Sequence, residues 1–261
     1  MLYADAVARK NKASLELIDS YDKKIPTGIQ LLANKPIILK KALEVIEKLP
    51  NLSVVDLNFG CPSPKVIASG NGPALLKRTQ RMTELLTTLK KYSPYPCGIK
   101  IRLGLNNTDK ANKVYLRTLE IANSVGLDYI TVHPKTAKES SQDPVDHTAL
   151  QEIIDNATIP VVGNGFVTDG KSAKKLFDMG CSAVMVARAA VGNPWIFQDI
   201  KDYLDDKTTS KKRTAKDYES AWLEYSAYAT KKKFYDYHEK VFRLRMKGDL
   251  SYHAPSRILN G

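Results

Sequence analysis

From residue 28 onward, short apolar runs alternate with amphipathic stretches at a spacing of roughly 30 residues, the rhythm of βα units. The runs GIQLLA (28–33), VVDLNFG (54–60), GIKIRLG (98–104), YITVHPK (129–135), PVVGNG (160–165) and AVMVARAA (183–190) read as strands. They are apolar almost throughout rather than alternating, which predicts parallel strands buried on both faces. Helices are expected between them at 36–48, 72–91, 110–125, 146–156 and 170–179. Pro36 and Asp146 stand near the starts, and Gly126 and Gly180 stand where a glycine stops a helix. Each strand ends in polar or special residues: Asn58 and Cys61, Lys100 and Arg102, His133, Asn164, Arg188. In an α/β barrel the chemistry gathers at the C-terminal ends of the strands. An open dinucleotide-binding sheet would carry a glycine-rich loop after its first strand, and none is present. The expected fold class is therefore α/β, a (β/α)8 TIM-type barrel.

Near residue 205 the character changes. The charged linker DDKTTSKKRT (205–214) leads into a segment whose apolar positions recur at helical spacing, predicting a small C-terminal helical domain. The expected division is a barrel over 1–204 and a helical domain over 205–261. Trp222, Tyr225, Tyr228 and Ala229 suit helix–helix packing, whereas Lys231–Lys233, Lys240, Arg243, Arg245 and Lys247 make another face basic. Aromatic groups interleaved with cations suit a phosphate backbone or an unpaired base, although solvated helix faces look similar.

Composition sharpens this reading only in its charge. Lys and Arg number 40 against 28 Asp and Glu, a net +12, and such an excess attracts polyanions over long range. Nucleic acid is one partner that fits, and lysines kept for solubility are the alternative. No apolar run approaches the roughly 18 residues needed to cross a bilayer, and MLYADAVARKNK lacks the apolar centre of a signal peptide. A cytoplasmic protein without a membrane role is expected. Cys61, Cys97 and Cys181 are odd in number and widely spaced, with no Cys-x-x-Cys pair, so neither a metal site nor a redox disulfide is expected.

The sharpest local signal is NFGCPSPKVIASGNGPALL (58–76), in which a strand closes on Asn58 and Cys61 and a constrained Pro- and Gly-rich loop follows. A thiol so placed can act as general acid or nucleophile. Burial as a small apolar group is the plainer fate of a lone cysteine, and it suits Cys181 while leaving Cys97 open. Lys100 and Arg102 are expected on opposite sides of their strand, so that one of them could simply pair with a helix carboxylate. His133 could be a hydrogen-bonded core histidine, and Asn58 could merely order the loop.

The run N-F-G-C-P-S-P-K-V with G-N-G-P-A-L-L is similar to the signature loop of the FMN-dependent tRNA-dihydrouridine synthases. KIRLG (100–104), TVHPKT (131–136), PVVGNG (160–165) and VMVARAAVGNPWIF (184–197) resemble that family in the same order. The resemblance covers about residues 1 to 204. It implies an oxidoreductase that reduces the C5=C6 bond of uridine in tRNA, with FMN as cofactor and NADPH as reductant. Cys61 would then protonate C5, while Gln30, Lys100 and His133 would lie against the flavin. Asn164, Gly165, Ala187 and Arg188 would hold its phosphate end, and Asn58 and Arg102 would face the substrate. The family's opening Ala-Pro-Met strand is absent and MLYADAV resembles the end of the second strand, so an N-terminally incomplete barrel is expected, one βα unit short. Phe166 stands where the family usually has an acidic residue, Ala187 where it has glycine, and Lys135 where arginine is common. A dihydroorotate-dehydrogenase-like flavoenzyme acting on a free pyrimidine, and a flavin-free, inactive tRNA-binding barrel, are the alternatives.

Overall fold

The computed structural model describes residues 1–19, 24–49, 52–140, 142–207, 213–228 and 232–248, without the side chains of Tyr228 and of residues 232–235. The tail positions Tyr228, Ala229 and Lys231–Lys233, and residues 208–212 of the linker, fall wholly or in their side chains outside what is described. The first elements are β1 (Leu2–Tyr3), α1 (Ala4–Ala8), α2 (Lys12–Asp19), β2 (Thr27–Leu32), α3 (Pro36–Ile46), β3 (Leu52–Phe59) and α4 (Pro64–Ala68). A 3-10 turn (Gly72–Leu75) leads to α5 (Thr79–Tyr92), β4 (Cys97–Arg102), α6 (Asn107–Ala111), α7 (Val114–Val125), β5 (Tyr129–His133) and α8 (His147–Asn156). Then come β6 (Val161–Asn164), α9 (Gly170–Asp178), β7 (Ala183–Met185), a second 3-10 turn (Arg188–Ala190), α10 (Ile196–Leu204), α11 (Ala215–Tyr228) and α12 (Lys232–Met246). Among the described residues the sheet has seven strands in chain order, and the pairings from β1 to β6 are parallel. No helix among them is long and apolar enough to cross a membrane.

By its internal packing the chain divides into two units. Among the described residues, the first comprises those of Met1–Gly163 with Gly180–Ala183, and the second those of Asn164–Met179 and of Val184–Gly248. In the first unit, α3 starts on Pro36, whose fixed φ and missing N–H suit a first turn. The Asp146 carboxylate accepts from the Ala149 amide at 2.9 Å to cap α8, and Gly126 ends α7 at φ 70°. Two expected helices are each broken in two. Arg78 at φ −106°, ψ 66° separates the first 3-10 turn from α5, and Lys113 at φ 51° separates α6 from α7.

The strands are not apolar on both faces. With a period of two, Ile29 and Leu31, Val55, Leu57 and Phe59, Ile99 and Ile101, and Ile130 and Val132 share one face and are buried. Facing helices bury Leu39, Leu43 and Ile46 of α3 and Met82, Leu85, Leu86 and Leu89 of α5 completely. Each such side chain contributes about 1.5–3 kcal/mol by leaving water, so cohesion lies on this side of the sheet. The other face carries Gln30, Asp56 and Asn58, Lys100 and Arg102, and Tyr129, Thr131 and His133. Lys100 and Arg102, two residues apart, therefore lie on the same face, contrary to the expectation that they diverge.

In the second unit β7 stops at Met185, and Arg188 opens a 3-10 turn instead of continuing the expected strand to 190. A Cβ on Gly170 would fall 2.3 Å from the Tyr203 ring, which shows how closely α9 and α10 pack. Trp222 and Tyr225 of α11 meet Phe242 of α12 at ring separations of 5.4 and 5.9 Å, the packing use of the aromatic stripe. Gly192, at φ 69°, lets α12 approach closely, since a Cβ there would sit 2.8 Å from Val241.

Candidate active site

The polar face of β2–β5 is ordered in register rows. In one row Gln30 pairs with Asp56, Asp56 with Gly98, and Gly98 with Tyr129. In the next, Asn58 pairs with Lys100 and Lys100 with Thr131; beyond that Arg102 pairs with His133. Glycine at 98 opens the first row, because any Cβ there would lie 2.5 Å from the Tyr129 ring. The phenol thus crosses a whole strand to donate to Asp56 Oδ2 at 3.2 Å. Gln30 Nε2 donates to Asp56 Oδ1 at 2.7 Å, and Asn58 Nδ2 donates to Gln30 Oε1 at 2.7 Å. Asn58 Oδ1 in turn accepts from the amides of Gly60 at 3.0 Å and Cys61 at 2.8 Å. This turns the chain sharply and leaves Cys61 half-buried at the strand's end.

The loop beyond Cys61 is tied down on several sides. Gly72, at φ 60°, lies so close that a Cβ would sit 3.2 Å from the Cys61 carbonyl, and Asn34 Nδ2 donates to the Ser69 carbonyl at 2.7 Å. Arg102 donates through Nε to the Gly60 carbonyl at 2.9 Å and through Nη1 to the Thr136 carbonyl at 2.7 Å, clasping the loops that follow β3 and β5. Burial in this layer moves two ionisations toward neutrality. The Asp56 carboxyl is pushed up to about 6 by loss of water, against the pull of Gln30, Tyr129 and Lys100. The Lys100 ammonium falls to about 8, through burial and the nearby Arg102 charge, while Asp56 and Cys61 hold it up. Both groups are charged between those values, so a cation stands beside a thiol on a water-poor surface.

The candidates of the second unit sit on consecutive loops. Asn164 is buried and its Nδ2 donates to the Met185 carbonyl at 2.9 Å, tying the end of β6 to β7. Gly165 at φ 128° and Phe166 at φ 52° turn the chain after it. Ala187, with φ −122° and ψ −101°, precedes the turn that Arg188 opens. Arg188 also lies near Tyr237 of α12, whose phenol burial pushes up while Arg188 and Arg245 pull it down.

The family model for dihydrouridine synthases matches residues 1–252. The chain belongs to the dihydrouridine synthase family. Among curated relatives, it is 30% identical over 200 residues to tRNA-dihydrouridine synthase B of Proteus vulgaris, covering 76% of this chain and 60% of that one. It is 29% identical over 208 residues to the probable tRNA-dihydrouridine synthase of Aquifex aeolicus, covering 78% of this chain and 64% of that one. The chain thus spans less than two thirds of the length of these relatives. Among solved structures it is similar to DHODH of Eimeria tenella, crystallised with ferulenol, at a TM-score of 0.51 and 14% identity over 77% of this chain and 61% of that one. Membership and this likeness place it in the TIM-barrel class of α/β folds, as the strand pattern led one to expect.

In this family member the signature cysteine stands apart from the other two thiols. Cys97 and Cys181 are 1% and 4% exposed, and burial pushes their thiols up to about 12 and about 11, with Asp128 adding to the rise at Cys97. Three residues of the polar face escaped the sequence reading: Asp56, Tyr129 and Thr131. A carboxylate inside the apolar run VVDLNFG was the available signal for Asp56, since an unpaired buried charge is costly and marks a purpose. Nothing in the sequence announced Tyr129, whose reach depends on strand register. Thr131 Oγ1 is buried and without a hydrogen-bond partner, next to Lys100 in its row.

Proposed function

We propose that this chain reduces the C5=C6 bond of uridine in tRNA, using FMN reduced by NADPH, with Cys61 as the proton donor. The observation that carries the reading is the placement of Cys61 on a loop hydrogen-bonded to Asn58, beside the Lys100 ammonium and on the polar face of the sheet. The names of the relatives, tRNA-dihydrouridine synthases, support the substrate. The net charge of +12 supports a polyanionic one over a free pyrimidine.

The residues present fit a flavin. Gln30 keeps a second Nε2 hydrogen after serving Asp56, Lys100 supplies a cation, and the unpartnered Thr131 hydroxyl offers a further polar contact on the same face. Gln30, Lys100 and His133 would meet the ring, while Asn164, Gly165, Ala187 and Arg188 would hold the phosphate end. Bound flavin supplies hydride to C6 of the base. Cys61 then delivers its proton to C5, which takes up carbanion character as the hydride arrives. Lys100, mostly protonated at neutral pH, would lend positive charge to a bound flavin ring. Asn58 holds the Cys61 backbone, and the two carbonyl bonds of Arg102 give it the task of fixing the loops around a base turned out of the RNA stack. A tRNA substrate and a mechanism that needs a free thiol support a cytoplasmic location.

Cys61→Ala tests the assignment. Flavin reduction by NADPH is expected to stay within about threefold of the parent, while dihydrouridine formation falls by about 100-fold or more, the usual weight of general-acid help. Undiminished dihydrouridine formation would remove Cys61 from the mechanism.

A further inference from the structure

The hydrogen bonds around Asp56 have a direction. An ionised carboxylate can only accept, so Gln30 must turn its NH₂ group toward Asp56 Oδ1, a contact of 2.7 Å. That leaves Gln30 Oε1 facing the other way, where it accepts from Asn58 Nδ2 at 2.7 Å. Asn58, having spent its NH₂ group on Gln30, can present only its oxygen to the loop, and Oδ1 accepts from the Gly60 and Cys61 amides. The second carboxylate oxygen is held by the Tyr129 hydroxyl, which reaches it across Gly98. Every amide in the chain has one way round, and the carboxylate at its origin decides which.

We propose that Asp56 is a positioning residue that sets the donor and acceptor sense of Gln30 and Asn58, and through them the seat of Cys61, while acting as counter-charge to Lys100. This rests on the reading of Cys61 and Lys100 as reaction groups, but the chain of bonds exists whatever their roles. The groups facing Asp56 are Gln30 from β2, Lys100 from β4 and Tyr129 from β5; those facing Lys100 are Arg102, Asp56 and Cys61. Asp56 at 7% exposure is too enclosed to touch a tRNA base itself, so its influence passes through its neighbours.

Two variants separate hydrogen bonding from charge. Asp56→Asn keeps an oxygen toward Gln30 and removes the charge; Asp56→Ala removes both. The rate of Cys61 alkylation by iodoacetamide at fixed pH, read by mass spectrometry without substrate, reports the seat of the loop. Asp56→Ala is expected to speed it about threefold or more, and Asp56→Asn to restore the parent rate. In the pH profile of flavin reduction by NADPH, the limb belonging to Lys100 is expected to move to lower pH by about half a unit or more in Asp56→Asn, because the anion that favours the ammonium is gone. Binding of FMN, followed by quenching of its fluorescence, is expected to weaken about threefold or more in Asp56→Ala and less in Asp56→Asn. Should Asp56→Ala fail to fold, the shifted profile of Asp56→Asn still decides: an unmoved limb overturns the proposal. So does an Asp56→Ala protein that folds and keeps the parent alkylation rate. Failure of the donor assignment shows itself separately, as unimpaired turnover in Cys61→Ala, and leaves the alkylation and FMN measurements intact.

Discussion

At the scale of single residues, the polar face holds two ionisations displaced toward each other. Lys100 falls from the usual lysine range to about 8, so in the folded protein it sheds its proton at lower pH than in the unfolded chain. Its contribution to stability is therefore present above its unfolded value and lost as pH falls through about 8. Asp56 runs the other way. With its carboxyl raised to about 6, its contribution is present below the unfolded value and lost as pH rises through about 6. Lys100→Met isolates the first effect. The stability difference between parent and variant, from urea unfolding, is expected to move in favour of the parent by about 1 kcal/mol between pH 8 and pH 9. A difference that stays flat over that interval would show that Lys100 titrates elsewhere.

At the scale of elements, the glycine near the start of β4 is the hinge of the arrangement, because it cedes its side-chain space to a ring from β5. Gly98→Ala is expected to cost about 2 kcal/mol, as a methyl group 2.5 Å from the Tyr129 ring forces the ring or the strand to move. Its thermal midpoint, compared with the parent's by calorimetry, checks this, and an unshifted midpoint would mean the ring yields freely. The strands from β2 to β6 were legible in the sequence because apolar runs between helix caps leave little choice, and Pro36, Asp146 and Gly126 marked helix ends correctly. What stayed hidden was the alternation within the strands. Asn58, Lys100 and His133 were read singly, as the polar ends of apolar runs, when a strict period of two would have set them on one face together with Gln30 and Thr131. Asp56 was lost in that way, Lys100 and Arg102 were set apart, and Tyr129 needed a register that no single strand encodes. The breaks at Arg78 and Lys113 were hidden for a different reason: neither residue is a glycine or proline, so tertiary packing rather than local preference set them.

At the scale of the whole molecule, charge connects the chain to its proposed substrate. Lys240 and Lys247 of the α12 segment are exposed, whereas Arg243 there already pairs with Glu239. Replacing both lysines by glutamine is expected to flatten the dependence of log affinity for tRNA on log salt by about 1.5 to 2, and to weaken binding without regard to sequence. An unchanged slope would take α12 out of the RNA contact. The division of the sheet into a cohesive side and a hydrogen-bonded side has a further outcome. Because Ile99, Ile101, Ile130 and Val132 do the holding on the far side, residues can be exchanged on the near side without opening cavities in the oily interior. Changes of chemistry on the near side are then limited by the hydrogen bonds they leave unpaired and not by the packing of the interior.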